Sequence, residues 1–177
     1  MSRHGYVDYD GDDPLAEGRW RGALLAALRG KRGQAFLREL IEALDAMPEK
    51  ALAAHSFVKD GEICALGSVA LKRGIDVSEF ESTDDEYDDH VDHDALAAKF
   101  NVASCLAREI MYENDDGDQW HWEDTGAVCQ GVPYGSTRKY RTHDTPEERW
   151  QRMRAWAVRN LRSTSKTDTS AGESNER

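Results

Sequence analysis

In this 177-residue sequence, two histidines in an acidic stretch have a spacing that would suit metal binding. His90 and His93 are three residues apart, and this spacing would put both imidazoles on one face of a helix, where they could bind a metal ion. The surrounding segment, Glu81 to Asp94, carries eight acids in 14 residues. Acids at this density oppose helix formation, so the pattern favours a solvated acidic loop over a metal site.

A cationic cluster is the second candidate. Between Gly18 and Arg38 there are six basic residues and no acid: Arg19, Arg21, Arg29, Lys31, Arg32 and Arg38. Within this cluster a loop from Gly30 to Gly33 is predicted to lead into a helix N-terminus, where free N–H groups and the helix dipole favour anions. Two interpretations of the cluster are open. It would bind an anion such as a nucleic-acid backbone, or its cations would form ion pairs with acids of the same chain. Since the net charge is −11, internal partners are abundant and pairing within the chain is favoured.

The segment "DALAAKFNVASCLAREI" fits the spacing of a helix-turn-helix, with Asn101 at the tight turn between two helices within residues 94–113. On its second helix only Arg108 has a side chain suited to contacting a base or a phosphate. Acidic segments flank both sides, and phosphate neutralisation normally supplies most of the affinity for DNA. Two core helices joined by a short turn are therefore favoured over a DNA-reading motif.

In "QWHWED", Trp120 and Trp122 alternate as on one side of a strand. They would form a partner-binding patch, stack on bases, or cover the core, and covering the core is favoured. The motifs GxSxG, HExxH, GxxxxGK[ST] and HxE…PCxxC do not occur, and the three cysteines form no CxxC pair. We therefore expect no catalytic residue and no cofactor. A non-enzymatic protein is favoured, and an enzyme with no recognisable motif is the weaker alternative.

The elements that must position these residues are mostly helical. Apolar periodicity predicts a helix from Asp13-Pro14 to about Leu28 and a second from about Gln34 to Met47. A β-hairpin near residues 52–65 is expected around Asp60-Gly61, followed by a short helix that ends at Gly74, the pair of helices around Asn101, and a last helix capped by Thr145. A small ribbon within residues 119–132 is a weaker expectation.

The fold predicted from these elements is mainly α (α+β), a compact bundle of four to five helices with one β-hairpin. Residues 1–13 are expected to be flexible, residues 14–161 to form a single helical domain with an acidic insert at 81–94, and residues 162–177 to be a disordered C-terminal tail.

Composition limits the classes of partner and compartment. Hydrophobic residues make up 39% and charged residues 32% of the chain, and its apolar runs are too short to span a membrane. The N-terminus lacks the apolar region of a signal peptide, and the few cysteines favour a reducing cytoplasm. The acidic net charge disfavours general affinity for nucleic acid and for anionic membranes.

Four segments of the chain, "RGKRGQAFLRELIEALDAMPEK", "GEICALGSVALKRGIDV", "VASCLAREIMYEND" and "TPEERWQRMRAWAV", resemble a family of small uncharacterised proteins encoded by tailed bacteriophages and prophages. The resemblance covers roughly Asp12 to Leu161. It implies a phage or prophage origin and a location in the bacterial host cytoplasm, but it implies no activity. The acidic insert and the stretch 117–144 depart from the family pattern, because both are longer than in its relatives.

The resulting expectation is a phage accessory protein that acts through contacts with a host or phage protein in the host cytoplasm. The alternative is a nucleic-acid-binding protein that uses the helix-turn-helix-like pair (94–113) or the basic region 19–38, although the net charge disfavours it. No membrane contact is expected, and the oligomeric state stays open.

Overall fold

The computed structural model describes residues 15–80, 91–116 and 144–162, together with four short strands between residues 120 and 141. Six α-helices lie in this part of the chain: α1 (Ala16–Arg29), α2 (Lys31–Ala46), α3 (Ala65–Arg73), α4 (His93–Phe100), α5 (Ser104–Asp115) and α6 (Pro146–Asn160). A β-hairpin, β1 (Val58–Lys59) with β2 (Glu62–Ile63), and a 3-10 turn (Ser78–Phe80) complete the helical part. The mainly α fold with a β-hairpin is thus confirmed.

The corner between α1 and α2 contains a single linking residue. Gly30 is extended (ψ 156°), and its N–H donates to the carbonyls of Ala26 and Ala27 at 3.0 and 3.2 Å. Its own carbonyl accepts the first hydrogen bond of α2, from the Gln34 N–H at 2.9 Å. The predicted loop from Gly30 to Gly33 is therefore wrong, and α2 starts three residues earlier than its apolar periodicity indicated.

Gly33 explains why the corner can be so tight. It is buried inside α2, and a Cβ built on it would lie 2.1 Å from the Ala27 carbonyl oxygen of α1. Glycine therefore serves here for close helix approach and not as a loop residue.

Local sequence signals set three other boundaries as expected, whereas the predicted start of the first helix at Asp13-Pro14 lies outside the described residues. In the hairpin turn, Asp60 and Gly61 have φ values of 53° and 88°, as a type I′ turn requires. Gly74 ends α3 in the left-handed conformation with φ 66°. At the start of α6 the Thr145 Oγ1 accepts from the Glu148 N–H at 3.2 Å, and the Glu148 carboxylate accepts from the Thr145 N–H at 2.9 Å, which is the predicted capping box.

Two helices form the centre of the core. The helix α2 packs against α1, α3 and α6, and α5 packs against α1, α3, α4 and α6, so three helices are shared between the two. Phe36 of α2 meets Phe100 of α4 edge to face, with ring centroids 6.1 Å apart. Because these apolar side chains belong to one cluster running from Leu24 to Ala157, the six helices enclose a common core.

A buried glutamine links three helix ends. Gln34, only 6% exposed, donates from Nε2 to the Leu28 carbonyl of α1 (2.7 Å) and to the Asn160 carbonyl of α6 (2.9 Å). Its Oε1 accepts from the Arg162 N–H at 2.8 Å. The side chain thereby satisfies backbone groups at two helix C-termini that would otherwise lack partners.

A second buried polar side chain joins the end of α5 to the segment before the hairpin and to the start of α3. The Asn114 Oδ1 accepts from the Ala65 N–H (3.0 Å), and its Nδ2 donates to the Ala53 carbonyl and to Asp115 Oδ1, both at 2.8 Å. Asp115 Oδ1 also accepts from the His55 N–H at 3.0 Å. Residues that precede the hairpin and the first residue of α3 are therefore both held by α5.

Candidate binding surfaces

The acids on the outer side of α2 are already engaged by cations from other helices. Each of three carboxylates has one such partner: Glu39 with Arg73, Glu42 with Lys72, and Asp45 with Arg154. The Arg154 contact is bidentate, at 2.6 and 2.9 Å. Hydrogen bonds from the two arginines lower the pKa values of Glu39 and Asp45 below their ordinary range. These acids are thus unavailable to the cationic cluster of the first two helices.

The cationic cluster itself is exposed. Arg19 and Arg21 lie on α1, and the other four members lie at the corner and on α2: Arg29, Lys31, Arg32 and Arg38. These last four have no ion-pair partner among the described residues. The first turn of α2 contains Lys31 and Arg32 but no acid and no side-chain cap. The pairing within the chain that the sequence favoured is therefore not formed by these four cations in the described part of the protein.

The helix-turn-helix-like pair exists as two helices, but its second helix is enclosed. Asn101 ends α4 in the left-handed conformation with φ 54°, as predicted. The residues of the template are buried in the core: Leu96, Ala97, Phe100, Val102, Ala107 and Ile110. In α5 every residue is buried or half-buried, Arg108 included, because four other helices pack around it. A helix that enters the major groove needs one exposed face, whereas every residue of α5 is at least partly covered by the rest of the protein.

The predicted metal pair is only partly within the described structure. His90 lies outside the described residues, whereas His93 is the first residue of α4. Asp92 caps this helix, since its Oδ1 accepts from the N–H groups of Asp94 and Ala95 at 3.1 and 3.0 Å. No group of three or more His, Cys, Asp or Glu suited to a metal occurs in the part of the chain that the structure covers.

The two tryptophans belong to a strand that is paired with a second strand further along the chain. Strand β3 (Trp120–Asp124) pairs antiparallel with β6 (Thr137–Arg141), and β4 (Val128–Cys129) pairs with β5 (Val132–Pro133). The weakly expected ribbon is present and extends to Arg141. In its register, Trp120 lies opposite Arg141 and Trp122 opposite Lys139.

The cysteines Cys64 and Cys105 lie among the described residues. The Cys64 thiol is buried at the start of α3, where its sulfur accepts from the Gly67 N–H at 3.3 Å. Burial raises the pKa of the Cys105 thiol, which keeps it protonated at neutral pH.

An open apolar groove is a surface feature that the sequence did not indicate. It has a volume of about 490 Å³ and lies between the C-terminal half of α2, the β1–β2 hairpin and α3. Its lining includes Ala43, Met47, Ile63 and Leu71. Leu71 is 74% exposed, and it sits on a helix whose first six residues are all buried. From sequence Leu71 was one more apolar residue in a short helix, so only the packing of α3 could show that it faces solvent.

Comparison with known proteins gives no further assignment. No family model, no curated protein and no solved structure matches the chain. Among the described helices, none is long and apolar enough to cross a membrane.

Proposed function

We propose that this protein is a phage or prophage accessory protein, non-enzymatic, that acts through protein–protein contacts in the cytoplasm of a bacterial host. The proposed origin and compartment rest on the resemblance of its four sequence segments to phage-encoded proteins. The groove between α2, the hairpin and α3 is the observation that supports binding as the mode of action.

The groove combines two properties of protein-binding sites. It is concave, and its lining is largely apolar, with small residues such as Ala43 and Ala46 that leave room for side chains of a partner. Leu71 stands at its edge with most of its surface in water. Covering a leucine of this exposure is favourable by roughly 25 cal/mol for each Å² of apolar surface removed from water.

Affinity capture from bacterial lysate tests this proposal with two matched variants. Leu71→Asp places a charge in the groove, whereas Val158→Asp places the same charge on α6. Val158 is 46% exposed and lies near Asn160, at the opposite end of α2 from the groove. We expect a partner protein that is retained by the wild type and by Val158→Asp but is lost with Leu71→Asp.

Thermal unfolding of both variants provides the control for folding. Both substitutions are at exposed positions, so their effects on stability are expected to be small. A partner that is retained equally by all three proteins would contradict binding through the groove.

Nucleic-acid binding through the basic region is the second candidate, because four of its cations are exposed and have no ion pair among the described residues. Fluorescence anisotropy with labelled DNA tests it. Affinity for DNA that falls steeply between about 50 and 200 mM salt, and that is abolished by Lys31→Glu with Arg32→Glu, would support it. Lys59→Glu, on the exposed β1 strand, makes one such charge reversal outside the basic region and is the control for Lys31→Glu alone. Unchanged affinity in the double variant would eliminate the basic region, and unchanged affinity in Arg108→Ala would eliminate the helix-turn-helix-like pair.

A further inference from the structure

The acidic side chains that line the apolar groove outnumber the basic ones. Two carboxylates, Glu49 and Glu62, line it, and neither has an ion-pair partner among the described residues. Lys72 also lines it, but the Lys72 ammonium is 2.6 Å from the Glu42 carboxylate of α2. The charge of this lysine is therefore offset within the protein, and the uncompensated charge at the groove is negative.

The lysine beside Glu49 is turned away to other partners. The Lys50 ammonium donates to the carbonyls of Asp45 and Met47 at 2.6 and 2.8 Å and lies 5.4 Å from the Trp150 ring centroid. It thus closes the C-terminal end of α2 and does not neutralise Glu49. Lys59 lies opposite Glu62 in the hairpin but forms no ion pair with Glu62. The Lys59 side chain does not line the groove.

The apolar lining of the groove determines which kind of uncharged side chain a partner can place in it. Met47, Ile63 and Leu71 offer aliphatic surface, and Met47 can adapt its shape because its side chain is unbranched. The Ser68 hydroxyl, also in the lining, already donates to the Ala65 carbonyl at 2.7 Å, so it makes no strong demand for a polar partner. The groove therefore fits an aliphatic side chain better than a polar one.

We infer that the occupant of this groove is a segment of a partner protein that presents an aliphatic side chain with a lysine or arginine close beside it. The aliphatic group packs between Met47, Ile63 and Leu71, and the cation faces Glu49 and Glu62. This inference rests on the proposed function and adds the chemistry of the partner. Charges at the edge of such a site set specificity and association rate more than they set affinity.

Selection from random short peptides displayed on phage tests the inference. The immobilised wild-type protein is the bait, and clones that also bind Leu71→Asp are removed. Enriched clones are expected to carry an aliphatic residue with Lys or Arg within two positions. A selected peptide should bind Leu71→Asp about tenfold or more weakly, because most of the burial of its aliphatic side chain is lost.

The double variant Glu49→Lys with Glu62→Lys tests the charge separately. We expect it to weaken the selected basic peptide about fivefold at low salt and to shift fresh selections toward acidic sequences. Asp94→Lys, which is exposed on α4 away from the groove, should leave both results unchanged. Enrichment of neutral or acidic peptides by the wild type would overturn the inference, and so would the absence of any clone that distinguishes the wild type from Leu71→Asp.

Failure of this inference can be told apart from failure of the proposed function. If Leu71→Asp loses the partner captured from lysate while the selected peptides are not basic, the groove binds a protein but the assigned chemistry is wrong. If capture does not depend on Leu71, the proposed function fails together with the inference.

Discussion

Replacing Gly33 by alanine should destabilise the protein, although alanine is the better helix former. In α2 the added Cβ would lie 2.1 Å from the Ala27 carbonyl oxygen and 3.0 Å from its carbon. Relief of this overlap requires the last turn of α1 to move by about 1 Å, and overpacking of a close contact costs about 3 kcal/mol. The gain in helix propensity offsets about 1 kcal/mol of this, which leaves a net loss of roughly 2 kcal/mol.

Gly22→Ala is the matched control for this experiment. Gly22 lies in the interior of α1, and nothing stands within 4 Å of a Cβ built on it. The same substitution should therefore stabilise the protein by about 1 kcal/mol at Gly22, which separates the two variants by roughly 3 kcal/mol. Urea unfolding followed by circular dichroism measures both values. A Gly33→Ala variant at least as stable as the wild type would refute the one-residue corner between α1 and α2.

Three further predictions concern buried or paired polar groups. Asn114→Ala removes three hydrogen bonds and should lower the free energy of unfolding in urea by about 3 kcal/mol, and a loss below about 1 kcal/mol would contradict the network. The hydrogen bond from Arg73 lowers the pKa of Glu39 in the folded protein. The contribution of this pair to stability is therefore fully present above the pKa of glutamate in the unfolded chain, about 4.3, and is lost as the pH falls through the lower pKa of the folded protein. The stability advantage of the wild type over Glu39→Gln should accordingly shrink on acidification, and an advantage independent of pH would oppose this. Burial raises the pKa of Glu113, so the folded protein favours the protonated carboxyl group. The contribution of Glu113 to stability is therefore present below the pKa of glutamate in the unfolded chain and is lost as the pH rises through the pKa of the folded protein. Glu113→Gln should therefore be more stable than the wild type at pH 7 and nearly equal to it at about pH 4, and equal stability at both pH values would argue against a desolvated carboxylate.

The elements that the sequence predicted well are those with local signals. The capping box at Thr145 and Glu148 depends on residues three positions apart, and the turn at Asp60-Gly61 depends on two neighbours. Such signals act within one turn of chain, so their outcome does not depend on the rest of the fold. The same reasoning located the left-handed turn at Asn101.

The features that escaped sequence reasoning depend on distant parts of the chain. Gly33 was interpreted as the end of a loop because its purpose, close approach to Ala27, exists only when α1 folds back on α2. Gln34 is polar by composition, yet it is buried because the end of α6 supplies a partner 126 residues away. The groove at Leu71 likewise arises from the relative placement of two helices and a hairpin, which no periodicity encodes.

The cationic cluster shows a related limit. The sequence favoured internal pairing because acids outnumber bases, 34 to 23. Pairing depends on geometry and not on numbers, and the acids of α2 have partners on α3 and α6. The helix-turn-helix template has a similar limit, because it specifies the apolar contacts of two helices but not which other helices pack against them.

The contacts between α2 and α6 have a consequence for synthesis on the ribosome. Three side-chain contacts join these helices across more than 100 residues: Gln34 to Asn160, Trp150 to the Leu44 carbonyl, and Arg154 to Asp45. Contacts of such long range form late in folding, because a long stretch of chain must close before they stabilise it. As α2 leaves the ribosome its apolar face thus lacks one of its covering helices until α6 follows. The nascent chain should therefore remain a chaperone substrate until α6 has emerged from the ribosome.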